Sequence, residues 1–86
     1  MSEKFIKVYG TSWCPHTAQT RQCLKRHGIR YDWCDIEEDE VGCAFVEKVN
    51  RGNRSVPTIV FPNGSILVEP SNLELEKKLG LHPAKH

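Results

Sequence analysis

Phe5-Ile6-Lys7-Val8-Tyr9-Gly10-Thr11-Ser12-Trp13-Cys14-Pro15-His16-Thr17 joins a strand to a helix through a cysteine. Phe5, Ile6, Val8 and Tyr9 form a short apolar run closed by Gly10, which is a strand signal. Pro15 suits a first helical position, where its missing N–H would find no partner anyway. No Gly or Pro interrupts Thr17 to His27, and Gly28 is a natural stop. The apolar content of this helix is thin (Ala18, Cys23 and Leu24), so punctuation marks it more than periodicity. Cys14 is therefore expected at a helix N-terminus directly after a strand.

On the C-terminal side, Ile29 to Ile36 alternates in the strand manner. Tyr31, Trp33 and Asp35 share one face; Asp32, Cys34 and Ile36 share the other. The acidic run Glu37-Glu38-Asp39-Glu40 reads as the start of a second helix, at the positive end of its dipole. Val41, Phe45, Val46 and Val49 follow at helical spacing, and Gly52 closes the segment. Asn53 to Pro57 is a connector. Thr58-Ile59-Val60-Phe61 and Ile66-Leu67-Val68 flank Pro62-Asn63-Gly64-Ser65, a hairpin expected to turn on the two residues Asn-Gly. Ser71-Asn72-Leu73-Glu74 is a capping box opening a helix through Leu79, stopped by Gly80. The order is β-α-β-α-β-β-α. The first two strands should run parallel with a right-handed crossover, and the last two antiparallel. An α/β fold follows, a four-stranded mixed sheet flanked by helices.

Eighty-six residues with a formal charge of +1 make one domain, residues 1–86. Its core is expected at about residues 4–80, with 81–86 as a flexible tail. The balanced charge gives no electrostatic case for nucleic acid or an anionic membrane. No apolar run approaches a membrane span, and nothing near Met1 reads as a signal peptide, so the cytoplasm is the expected compartment. There the four cysteines, Cys14, Cys23, Cys34 and Cys43, are expected to be reduced. No Cys-x-x-Cys pair exists, no Cys/His grouping has a strong zinc spacing, and no metal is expected.

Where Cys-x-x-Cys chemistry would place a second thiol after Cys14 stands Thr17. Three features nevertheless favour a Cys14 thiolate: the unpaired N–H groups and dipole of the helix start, the nearby His16, and Thr17 three residues on. Pro15 sets the helix start. Trp13 is read as a surface platform beside the thiol, with a core aromatic as the other reading. Cys23 lies nine residues along the same helix, about 13 Å away and on another side, beyond disulfide reach. Cys23 and Cys34 are expected in the core. Cys43 stays open between packing and resolving Cys14. Arg21, Arg51 and Arg54 could hold substrate carboxylates or be solvated charges, the latter favoured for Arg21.

Over about residues 4 to 80 the sequence resembles the glutaredoxins of the thioredoxin-fold superfamily. The carriers are VYGTSWCPHT, RYDWCDIEED and SVPTIVF. TSWC, DIE, FVEKVNRGNRSVPT and FPNGSILVEPS are similar to the mycoredoxin-like branch, which works with mycothiol. The resemblance implies a thioredoxin (glutaredoxin-like) fold, a cis Val56–Pro57 bond across from Cys14, and Val56 backbone pairing with a bound thiol. It implies a low-molecular-weight thiol, glutathione or mycothiol, as co-substrate. Thiolated or disulfide-bonded proteins are the implied clients. Three departures bear on that choice. Thr11 replaces a common lysine, Leu67 to Asn72 replaces the turn that holds glutathione carboxylates, and Glu69 would repel a carboxylate if it faced the site.

The reading that follows is a monothiol thiol–disulfide oxidoreductase, acting through Cys14 as a monomer. One alternative is a dimer carrying an iron–sulfur cluster, against which Pro15 and Thr17 depart from the family's usual Gly and Ser. The other is a catalytically degenerate docking protein using Trp13 and the Pro57 loop.

Overall fold

The computed structural model describes residues 5–80; the tail expected at 81–86 lies outside the described residues. Strand β1 (Ile6–Gly10) leads to helix α1 (Pro15–Arg26), then β2 (Tyr31–Asp35) and α2 (Glu40–Val49). Strands β3 (Thr58–Val60) and β4 (Ile66–Val68) precede α3 (Asn72–Leu79). The sheet order is β2-β1-β3-β4. β1 pairs parallel with β2, Val8 opposite Trp33, and antiparallel with β3, Tyr9 opposite Thr58. This is the four-stranded mixed sheet that the order of elements requires.

The pleat distributes two cores. Ile6 and Val8 join Cys23 and Leu24 of α1, Ile59 and Phe61, and Leu75 of α3 on one face. Tyr9, Cys34, Ile36 and Val46 of α2 form the other. Fully buried Leu24, Ile59 and Leu75 each contribute about 1.5–3 kcal/mol by leaving water. The buried face of α1 consists of Thr17, Thr20, Cys23 and Leu24, while Ala18 is exposed. Its thin apolar content is thereby explained: threonine methyl groups occupy two core positions.

Three local expectations are corrected. Helix α2 begins at Glu40 and not at Glu37, because Asp39 is the cap and its carboxylate accepts from Gly42 N–H at 3.0 Å. Glu37 and Glu38 lie in the preceding turn. Val41 is 80% exposed, so the helical stripe turns Gly42 and Val46 inward instead. The third correction is the hairpin. Gly64 N–H donates to the Phe61 carbonyl at 2.8 Å and Phe61 N–H to the Ser65 carbonyl at 2.9 Å. Only Gly64 of the Asn-Gly pair takes positive φ, at 91°. Pro62, locked near φ −65°, fits the second place of a type I turn, which leaves the left-handed residue to follow as a bulge. The capping box of α3 is present in both directions, and Gly80 ends the helix at φ 74°.

Gly10 is shaped by the site it precedes. A Cβ there would stand 2.7 Å from Thr17 Cγ2 and 2.8 Å from Thr17 Oγ1. Gly10→Ala must therefore displace Thr17, a buried residue with little room to move. The expected cost is about 1–3 kcal/mol, in the overpacking range. Thermal melting checks this; a melting temperature within about 2 °C of wild type would mean that Thr17 gives way freely.

Candidate active site

Cys14 is the N-cap of α1, with extended backbone (φ −79°, ψ 121°) and Pro15 at the first helical position. Its carbonyl accepts the first helical bond, from Ala18 N–H at 3.0 Å, while its side chain caps nothing. The sulfur is thus free to meet the unpaired N–H groups of the first turn. Burial pushes the Cys14 thiol up. Donation from the Thr17 N–H, the Thr17 hydroxyl and the His16 N–H outweighs it, and the net result lies below an ordinary thiol. The Glu69 carboxylate works the other way and raises it. The Thr17 hydroxyl is buried and meets no acceptor with full hydrogen-bond geometry; the thiolate is the charge it stabilises.

The other thiols differ. All four cysteines are free. Burial, reinforced by Glu76, raises the Cys23 thiol. Burial and the Asp39 carboxylate push the Cys34 thiol up to about 11. Cys43 is half-buried against the α2-side core, with its sulfur 3.9 Å from a Glu47 carboxylate oxygen. Helix α1, which carries Cys14 at its start, packs on the opposite face.

The remaining residues singled out from the sequence are arranged as follows. The His16 ring is engaged by the Pro70 carbonyl at 2.7 Å, and it is the His16 backbone N–H that lowers the Cys14 thiol. Trp13 is 67% exposed, which excludes a core aromatic, and its Nε1–H donates to Glu37 at 3.0 Å. The Val56–Pro57 bond is cis. Pro57 is buried just before β3, next to the end of β1 from which the Cys14 loop departs. Arg54 pairs with Glu47 at 2.7 Å on the surface, and Arg21 donates to Tyr31 and stacks 4.1 Å over Trp33.

Comparison with known proteins decides the family. The glutaredoxin family model matches residues 6–66, which include the Cys14 loop, the cis proline and the hairpin as far as the start of β4. The chain belongs to the glutaredoxin family. A glutaredoxin-named protein of Mycobacterium tuberculosis (strain H37Rv) is 42% identical over 74 residues, covering 86% of this chain and 88% of that one. Mycoredoxin 1 of Corynebacterium glutamicum (strain ATCC 13032) is 34% identical over 74 residues, covering 86% of this chain and 91% of its own. Among solved structures, the glutaredoxin of Archaeoglobus fulgidus superposes with a TM-score of 0.71 at 29% identity, over 92% of this chain and 87% of that one. A mutant of a thioredoxin-like protein superposes with a TM-score of 0.79 at 21% identity, over 93% and 100%, and speaks for the fold alone.

Family membership supports a glutaredoxin-like redox function. Among the described residues, no helix of this glutaredoxin is long and apolar enough to cross a membrane. Sequence reasoning did not reach the tie between the hairpin and the site. Glu69 takes a left-handed φ of 50°, and its N–H donates to the Pro57 carbonyl at 2.8 Å. That bond holds the segment after β4 beside the proline, and its carboxylate acts on the Cys14 sulfur. The VEPS stretch carried no local signal for a left-handed Glu, because the hydrogen bond that holds it comes from Pro57.

Proposed function

We propose that this glutaredoxin is a monothiol thiol–disulfide oxidoreductase that reduces mixed disulfides between proteins and a low-molecular-weight thiol. The observation that carries the reading is the Cys14 sulfur at the start of α1, with Thr17 and His16 donors stabilising its charged form. The thiolate attacks the small-thiol sulfur of the mixed disulfide. The bond to the client sulfur breaks, and the client leaves as its thiolate. Cys14 then holds the small thiol in a new disulfide. A second small-thiol thiolate attacks that adduct, forms the oxidised small thiol, and restores Cys14. Thr17 has no sulfur, so the adduct is not closed within the motif. Trp13 and the Val56–Pro57 edge are assigned to binding the small thiol and its client. Arg54 is left out of this role, because Glu47 already engages it.

The test is mass spectrometry after brief exposure to oxidised glutathione or oxidised mycothiol, on wild type and Cys14→Ser. One adduct, confined to Cys14, is the expected result. A loss of two hydrogens without adduct would place the resolving thiol elsewhere and overturn the monothiol route.

Glu69 bears on which thiol is used. Glutathione carries carboxylates, whereas mycothiol carries none, and a carboxylate beside Cys14 disfavours the former. Two unit charges 4 Å apart in water interact by about 1 kcal/mol, roughly fivefold in binding. Glu69→Lys is thus expected to raise kcat/KM with glutathione by up to about thirtyfold, because a repulsion of about 1 kcal/mol gives way to an attraction of the same size. Turnover with mycothiol is expected to rise by less, because it gains only from the Cys14 thiolate that Glu69 no longer opposes. Equal gains for both thiols would show that Glu69 acts only through the Cys14 thiolate and not on the choice of partner.

A further inference from the structure

Away from Cys14, near the far end of α1, three metal-binding side chains converge. Cys23 lies in the last turns of α1 and His27, four residues on, is the residue that caps its C-terminal end, so both are placed toward α3. Glu76 arrives from α3, 53 positions from Cys23. His27 Nε2 lies 2.8 Å from Glu76 Oε2, Cys23 Sγ lies 3.9 Å from that same oxygen, and all three donor atoms fall within 4.8 Å of one another. Cys23 is 1% exposed and Glu76 only 4%. No other group of three such donors occurs among the described residues.

A buried carboxylate is costly unless its charge is met. His27 supplies one partner, yet it leaves the adjacent thiol without a role beyond a long contact. From these positions we infer that Cys23, His27 and Glu76 form a zinc(II) site that ties α1 to α3, separate from the redox site.

The chemistry fits on three counts. A tetrahedral zinc with one sulfur and two lighter ligands spaces its donors about 3.3–3.6 Å apart. The separations to Glu76 Oε2, 2.8 and 3.9 Å, bracket that range, and the third pair lies within 4.8 Å, so closing on the ion takes shifts of up to about an ångström. The thiolate and carboxylate together offset the two charges of the ion, which leaves a neutral cluster suited to a poorly hydrated interior. Thiolate with imidazole also selects zinc over magnesium or calcium. On binding, Cys23 releases its proton to solvent, His27 donates the Nε2 lone pair and keeps its proton on Nδ1, and Glu76 gives one oxygen. The side chain of His27 is 18% exposed, which gives the ion a way in and a fourth place for water. Arg26 bears on Cys23 from outside the donor set and partly offsets the negative charge of Glu76 there.

The experiment uses the full chain carrying Cys14→Ser, so that the redox thiol takes no part. Zinc is titrated against a chromogenic chelator, and thermal melting is followed with and without the ion. Stoichiometric binding, one zinc per chain, is expected, with a melting temperature raised by about 5 °C or more at a hundredfold excess over the dissociation constant. Cys23→Ser and His27→Gln, each added to Cys14→Ser, are expected to weaken binding by more than about tenfold, the least seen for lost second-shell partners. Cobalt(II) in place of zinc should give a thiolate charge-transfer band that disappears in Cys23→Ser and survives in Cys43→Ser. His27→Gln keeps a donor for Glu76 at a partly exposed position, so it decides the matter even if the buried Cys23→Ser variant does not fold. Absence of stoichiometric zinc binding, or binding that persists in His27→Gln, overturns the site.

Discussion

Replacing Cys14 by serine is expected to lower mixed-disulfide reduction by at least about a thousandfold, the scale on which a lost nucleophile shows. A serine hydroxyl stays protonated at neutral pH, whatever donors surround it, and the first bond of the cycle cannot form. The other thiols offer no replacement of the same kind. Cys23 and Cys34 are buried and held above the ordinary thiol range, the latter at about 11. The assay is turnover of a protein–small-thiol mixed disulfide, coupled to reduction of the oxidised small thiol. The fold should be unaffected, because Cys14 is only half-buried and its side chain caps nothing. Retention of even a tenth of the wild-type rate would move the chemistry to another thiol, with Cys43 the first to examine.

Thr17 carries the second large effect, and two substitutions separate its two consequences. Thr17→Val removes the hydroxyl and keeps the shape. The hydroxyl favours the charged sulfur, so its loss raises the Cys14 pKa. Less thiolate is then present at a given pH, and alkylation of Cys14 is expected to slow. The sign is fixed by geometry: the donor stabilises the anion, so removing it moves the pH profile of alkylation upward. Stability should hold or rise, because the buried hydroxyl lacks a well-formed partner in the neutral protein. An unchanged alkylation profile would mean that the backbone N–H groups alone support the thiolate. Thr17→Cys supplies the missing thiol instead. Side chains three apart in the first turn have Cβ atoms about 5–6 Å apart, near enough for a disulfide after a small adjustment. Oxidation should then remove two hydrogens and leave no small-thiol adduct, which converts a one-thiol route to a two-thiol one. An adduct that persists on Cys14 in this variant would show that the first turn is too rigid to close.

The glutaredoxin family membership and a cis Val56–Pro57 bond were expectations drawn from resemblance, and both hold. Bottom-up, the residues alone yielded the order of elements, the parallel and antiparallel pairings, and the place of Cys14 at a helix start. Each of these depends on neighbours in the chain: Gly10, Pro15, Gly28, the Ser71 capping box and Gly80 act within a few residues of where they stand. The alternation of Tyr31, Trp33, Cys34 and Ile36 was equally legible, because a strand places every second residue on one face.

What failed to be legible is set across the fold. Threonine is polar by name, so the buried face of α1 could not be seen until the fold had buried Thr17 and Thr20. The His16 ring goes to Pro70, 54 positions away, and not to the thiol beside it. Glu69 reaches the site only because Pro57 holds its N–H, and Glu76 meets Cys23 and His27 only because α3 returns against α1. The sequence by itself determined which segments form and where the reactive sulfur is presented, since those are local steric and capping preferences. The tertiary structure alone decided which charges surround that sulfur and which side chains converge elsewhere, since electrostatic and coordinative partners are chosen by distance in space and not along the chain.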